Sequence, residues 1–135
     1  MESISSLPPL SILIVEDDTL VGKTMGVLIN LKFPDVVIHI AGNGKQGVEL
    51  FKEYRPDIVI TDINMPEMDG MQMTCEIKRL CDGVKFIVLT GYSDKAHQEK
   101  FSKIAIADYI VKPIEFTKLF AAIDRCIIGI LLERQ

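Results

Sequence analysis

The chain has 135 residues, 48% hydrophobic and 25% charged, which is enough apolar material for one buried core and too much for a disordered chain. Its net charge of −4 supplies no basic stripe and argues against direct nucleic-acid binding, and its three cysteines, Cys75, Cys81 and Cys126, lack metal-ligand spacing and make a poor disulfide framework. The first residues lack the basic start and apolar stretch of a signal peptide, and the longest apolar run, 127–132, is too short to span a bilayer, so a cytoplasmic chain without membrane association is expected.

Residues 1–9 read as a polar tail closed by Pro8-Pro9. The apolar run 10–15 predicts a strand buried on both faces, and Glu16 and Asp17 follow it. A first helix is expected near 18–31, with Asp18 as its cap. The mixed run 36–40 suits an edge strand, and Asn43 is placed to cap a second helix carrying Val48, Leu50 and Phe51. A second buried strand, 58–61, ends at Asp62 and runs into a turn rich in Asn, Pro and Gly. Pro66 can start a third helix with Met71, Cys75, Ile77 and Leu80 inside it. A third buried strand, 84–89, ends at Thr90, and Ser93 or Asp94 can cap a fourth helix carrying Phe101, Ile104 and Ala105. The short run 108–111 suits the other sheet edge and delivers Lys112; Pro113 then opens a last helix with a broad apolar stripe from Phe116 to Ile130. The alternation implies βα units around a parallel sheet.

Polar residues that end buried parallel strands lie in the crevice where such sheets bind ligands. Here they are the acids Glu16, Asp17 and Asp62, the hydroxyl of Thr90 and the ammonium of Lys112. Clustered acids repel one another, so the site favours a hard cation, and Mg²⁺ or Mn²⁺ suits carboxylate and carbonyl oxygens. With charge offset in this way, Asp62 can attack phosphorus to form an aspartyl phosphate, Lys112 can neutralise phosphoryl oxygens, and Thr90 can donate a hydrogen bond.

The motifs Val15-Glu16-Asp17-Asp18, Thr61-Asp62-Ile63-Asn64-Met65-Pro66-Glu67-Met68-Asp69-Gly70, Leu89-Thr90-Gly91-Tyr92 and Lys112-Pro113 occur in this order. Together they resemble the receiver domain of two-component response regulators, over about residues 10–130. The resemblance implies a flavodoxin-like, doubly wound sheet of five parallel strands in the order 2-1-3-4-5, with five helices. It places an N-terminal tail at 1–9, the receiver domain at 10–132, and the C-terminal end at 133–135. It makes Asp62 the phosphoacceptor, Asp17 the direct metal ligand, Glu16 the outer acid, and Asn64 the donor of a backbone carbonyl to the metal. Thr90 becomes the switch hydroxyl, Tyr109 the switch aromatic and Lys112 the phosphate-pairing lysine, with a cis Lys112–Pro113 bond. Asn64 and Tyr92 flank the path of hydrolytic water and set the phosphate lifetime. The partner is a histidine kinase or phosphotransfer protein, and a homodimer through the fourth helix, fifth strand and fifth helix is expected.

Gly91 stands where the family often has Ala; both are small, so access to the site is kept. Glu16 stands where an Asp is often found, a common variant. An aspartyl-phosphate phosphohydrolase is disfavoured because Asn64, two residues after the nucleophile, is not an acid. A purely docking receiver is disfavoured because the acids, Thr90 and Lys112 are all present. His39 and His97 have no ligand partners by spacing.

Overall fold

The computed structural model describes residues 9–63, 68, 70–91 and 106–134. In chain order the elements are β1 (Ser11–Val15), α1 (Thr19–Lys32), β2 (Val37–Ala41), α2 (Gly44–Tyr54), β3 (Ile58–Asp62), α3 (Gly70–Leu80), β4 (Lys85–Thr90), β5 (Asp108–Val111) and α4 (Phe116–Glu133). The strands form one parallel sheet in the order β2-β1-β3-β4-β5. This is the expected order, with the two mixed runs at the edges. Four of the five expected helices are described; the predicted fourth, from Ser93 or Asp94 to about Ala105, lies outside the described residues.

Local chemistry fixes the helix starts. Asp18 Oδ1 accepts the Val21 N–H at 3.1 Å, and Asn43 Oδ1 accepts the Gln46 N–H at 2.8 Å, each satisfying a donor that the first turn leaves open. One start differs from the sequence reading, and one is only partly described. The described part of α3 begins at Gly70, and Pro66, expected to open it, lies outside the described residues. Pro113 does not open α4. Its bond to Lys112 is cis, the chain continues as irregular backbone, and the helix begins at Phe116 after Glu115.

The period of two along the buried strands divides the core into two layers. Ile12, Ile14, Ile58, Ile60, Ile87 and Leu89 face α1 and α4, where they meet Met25, Ile29, Leu119, Ile123 and Cys126. Leu13, Val15, Val59 and Phe86 face α2 and α3, where they meet Val48, Phe51, Met73 and Ile77. Each fully buried aliphatic or Phe side chain contributes about 1.5–3 kcal/mol. The ion pairs at the far end of α4, Lys85–Glu133 at 2.6 Å and Arg134–Asp57 at 2.9 Å, are partly exposed and of a kind worth about 0–1 kcal/mol. Burial therefore anchors α4, and the ion pairs fix where it ends.

Candidate phosphoryl-transfer site

In-register pairing decides which residues meet. Val15 pairs with Thr61, Asp62 with Leu89, and Thr90 with Val111, so four strands stop together at one rim. Glu16 and Asp17 leave β1, Asp62 ends β3, Thr90 ends β4, and Lys112 follows β5. The strand order reverses between β1 and β3, which opens a crevice there. The rim leads into a cavity of about 720 Å³ walled by Glu16, Asp17, Asp62 and Lys112 on one side and by Leu20, Met25, Ile114 and Phe116 on the other.

Carboxylate oxygens of Glu16, Asp17 and Asp62 lie within 4.8 Å of one another, the first and last buried and Asp17 exposed. Lys112 Nζ donates to Asp62 Oδ2 at 2.7 Å. Burial would lower the Lys112 ammonium; the hydrogen bond and charge of Asp62, helped by the charges of Glu16 and Asp17, outweigh it and raise the group above its usual value. Glu16 has the opposite problem. Burial first, then its side-chain hydrogen bond with Asp17 and the negative charge of Asp62, push its carboxyl up to about 7, against the weaker pull of the Asp18 N–H and of Lys112. One ammonium thus faces three acids, and the set remains short of positive charge. Hard oxygen donors in such a deficit fit Mg²⁺ or Mn²⁺.

The other predicted residues divide. Thr90 is fully buried at the rim, and its hydroxyl donates to the Gly91 carbonyl at 3.2 Å. Its backbone carbonyl accepts the Lys112 N–H at 2.7 Å, tying β4 to the lysine's backbone. Tyr109 is half-buried in β5 beside Val88, Ile63, Met71 and Ile106, and burial raises its phenol. Asn64 and Tyr92 lie outside the described residues.

One residue of the site has no role in the sequence reading. A Cβ on Gly70 would stand 2.3 Å from the Asp62 carbonyl oxygen, too close for any side chain. The Gly70 N–H donates to the Ile63 carbonyl at 3.0 Å, and the Gly70 carbonyl accepts the Thr74 hydroxyl at 2.6 Å. Gly70 therefore lets the start of α3 press against the backbone of Asp62. Its place at the end of the turn motif was the available signal. The apolar wall at Leu20, Met25, Ile114 and Phe116 was also hidden, because it joins residues distant in sequence.

The response regulator receiver domain family matches residues 12–124. The probable C4-dicarboxylate response regulator DctR of Bacillus subtilis (strain 168) is 32% identical over 114 residues, covering 84% of this chain and 50% of that protein. The chemotaxis protein CheY of Halobacterium salinarum is 32% identical over 113 residues, covering 84% of this chain and 92% of that protein. The chain thus spans about half the length of DctR and nearly all of CheY. Among solved structures, the N-terminal domain of an uncharacterized protein from Wolinella succinogenes gives a TM-score of 0.84 at 32% identity, covering 93% of this chain and 99% of that chain. A response regulator receiver domain protein from Clostridium thermocellum gives 0.83 at 28% identity, covering 91% and 98%.

Proposed function

This chain belongs to the response regulator receiver family, and on that premise we propose that Asp62 accepts a phosphoryl group from a histidine kinase or phosphotransfer protein. The observation that carries this reading is the Lys112–Asp62 pair at 2.7 Å beside the Glu16, Asp17 and Asp62 oxygens. A carboxylate oxygen of Asp62 attacks phosphorus, an O–P bond forms, and the donor's P–N bond breaks. Lys112 then exchanges its contact with Asp62 for a phosphoryl oxygen, and Thr90 turns its hydroxyl from Gly91 toward another. Mg²⁺, when bound, would supply positive charge for the remaining oxygens. Asp17 and Asp62 would hold it directly, Glu16 would hold it through water, and the backbone carbonyl of Asn64 would complete the protein ligands.

The inward turn of Thr90 leaves room that Tyr109 takes up, and the surface of the predicted fourth helix, β5 and α4 changes. That surface is the expected place for homodimer or partner contacts. The domain spans 10–132 and works in the cytoplasm; among the described residues no helix is long and apolar enough to cross a membrane. Asn64 is neutral and offers no strong base for hydrolysis, and the bulk of Tyr92 would screen a water path, so the expected phosphate is long-lived for a receiver.

Intact-mass measurement with a small phosphoryl donor and Mg²⁺ tests the reading. One added phosphoryl group is expected on the native chain, and none on Asp62→Asn. Asp17→Ala should lose Mg²⁺ affinity as well as labelling. Undiminished labelling of Asp62→Asn rejects the acceptor, and unchanged Mg²⁺ affinity in Asp17→Ala rejects the direct ligand.

A further inference from the structure

β2 forms one edge of the sheet, and an open strand edge is a template for another strand. In a parallel ladder, alternate residues turn their N–H and C=O toward opposite sides. The Val37 N–H donates to the Leu10 carbonyl at 2.9 Å, and the Ala41 carbonyl accepts the Glu16 N–H at 3.0 Å. The odd-numbered residues therefore face β1, and Val36, Ile38, Ile40 and Gly42 face outward. Side chains close both ends of that outward row. Asn30 Nδ2 donates to the Val36 carbonyl at 2.7 Å, and the Gly42 N–H donates to Gln46 Oε1 at 2.6 Å. Between these plugs, the backbone groups of Ile38 and Ile40 are directed at an edge that is open among the described residues.

α1 lies close over this strand because Gly22 and Gly26 carry no Cβ; one added at either would stand 3.3 Å from an Ile40 side-chain carbon. A groove of about 510 Å³ runs beside the strand, lined by Lys23, Val27, Asn30, Leu31, Ile38 and Ile40. Val27 and Leu31 are 61% and 75% exposed, far beyond what an apolar residue on a closed face needs.

We propose that this edge is a homodimer interface, in which β2 pairs antiparallel with β2 of a second copy about a twofold axis at His39. The strand is self-complementary in this register. With His39 opposite its twin, Ile38 of each copy lies opposite Ile40 of the other. Both residues turn their N–H and C=O outward, so they form the narrow hydrogen-bonded pairs of an antiparallel ladder, and every open group finds a partner. The Asn30 and Gln46 plugs limit the ladder to this register. Charge matches as well. Gly22 and Gly26 pack on Ile40, so α1 begins over the C-terminal end of β2; Lys23 lies at that end, and Asp35 lies in the turn before the N-terminal end. The twofold axis brings each Lys23 to the end where the partner copy carries Asp35. The two grooves then join in one apolar seam. An unrelated extended segment would satisfy the hydrogen bonds, yet nothing on this surface matches its charge in advance.

Sedimentation across a concentration series, with residue-resolved amide exchange, tests this in the unphosphorylated chain. A reversible dimer is expected, with Ile38 and Ile40 amides gaining protection as concentration rises. Ile40→Lys should be monomeric. Lys23→Glu and Asp35→Lys should each weaken association about tenfold, because symmetry counts each change twice, and the double charge reversal should restore it. The charge pair keeps the test decisive even if Ile40→Lys perturbs folding. A chain monomeric at every concentration overturns the proposal, as does a dimer that these substitutions leave intact. Protection of Ile38 and Ile40 only on addition of an extended apolar peptide also overturns it, and assigns the edge to another protein's strand.

Discussion

Cys126 and Cys81 show how position alone sets side-chain chemistry in this chain. Cys126 is buried in the layer between the sheet and α4, and burial pushes its thiol up to about 11, against lesser pulls from Lys85 and Arg125. Cys81 is exposed beyond the end of α3. A thiol reagent at neutral pH is therefore expected to modify Cys81 in the folded protein and spare Cys126, since the thiolate is the reactive form. The sign of the pH effect follows. The Cys126 value is raised above its ordinary 9.0, so its contribution to stability is complete below pH 9 and lost as pH rises toward 11. Equal labelling of both thiols in the native state, read by peptide mass, contradicts this. The same burial logic acts on Glu16, whose carboxyl is held up to about 7.

At the scale of the element, the turn between β3 and α3 carries the most information. Gly70→Ala drives a methyl against the Asp62 carbonyl, with backbone rather than a flexible side chain in the way. A loss of about 1–3 kcal/mol in unfolding free energy is expected, together with slower labelling of Asp62. Gly83→Ala, where a Cβ meets nothing within 4 Å, is the control and should change neither. Chemical denaturation of the two variants decides it; equal stability removes Gly70 from its positioning role. Strands and helices were legible because local patterns coincide with burial: the continuous runs at β1, β3 and β4 are buried, and the mixed runs lie at the edges. The acids, Thr90 and Lys112 were legible because each ends a strand. The Gly70 contact, the apolar cavity wall and the start of α4 were not, because they depend on distant backbone meeting in space or on how the chain turns at Lys112–Pro113.

For the whole molecule, β4 and β5 join the rim to the proposed switch surface. Thr90 pairs with Val111, and Tyr109 pairs with Val88 and packs with Ile63 just beyond Asp62. Phosphorylation should alter exchange protection in β5 and the first half of α4. The end of α4, held by Glu133 to Lys85 and by Arg134 to Asp57, should stay unchanged. Exchange that is identical throughout, with and without phosphate, would remove the switch.

The most direct test of the central claim locates the phosphoryl group itself. An aspartyl phosphate is an acyl phosphate, and hydride reduction converts it to homoserine. After reaction with a small phosphoryl donor, Mg²⁺ and borohydride, fragment mass spectra should place homoserine at position 62, with none in samples lacking Mg²⁺. Homoserine at another aspartate, or none in a sample whose intact mass shows the added phosphoryl group, would contradict Asp62 as the acceptor.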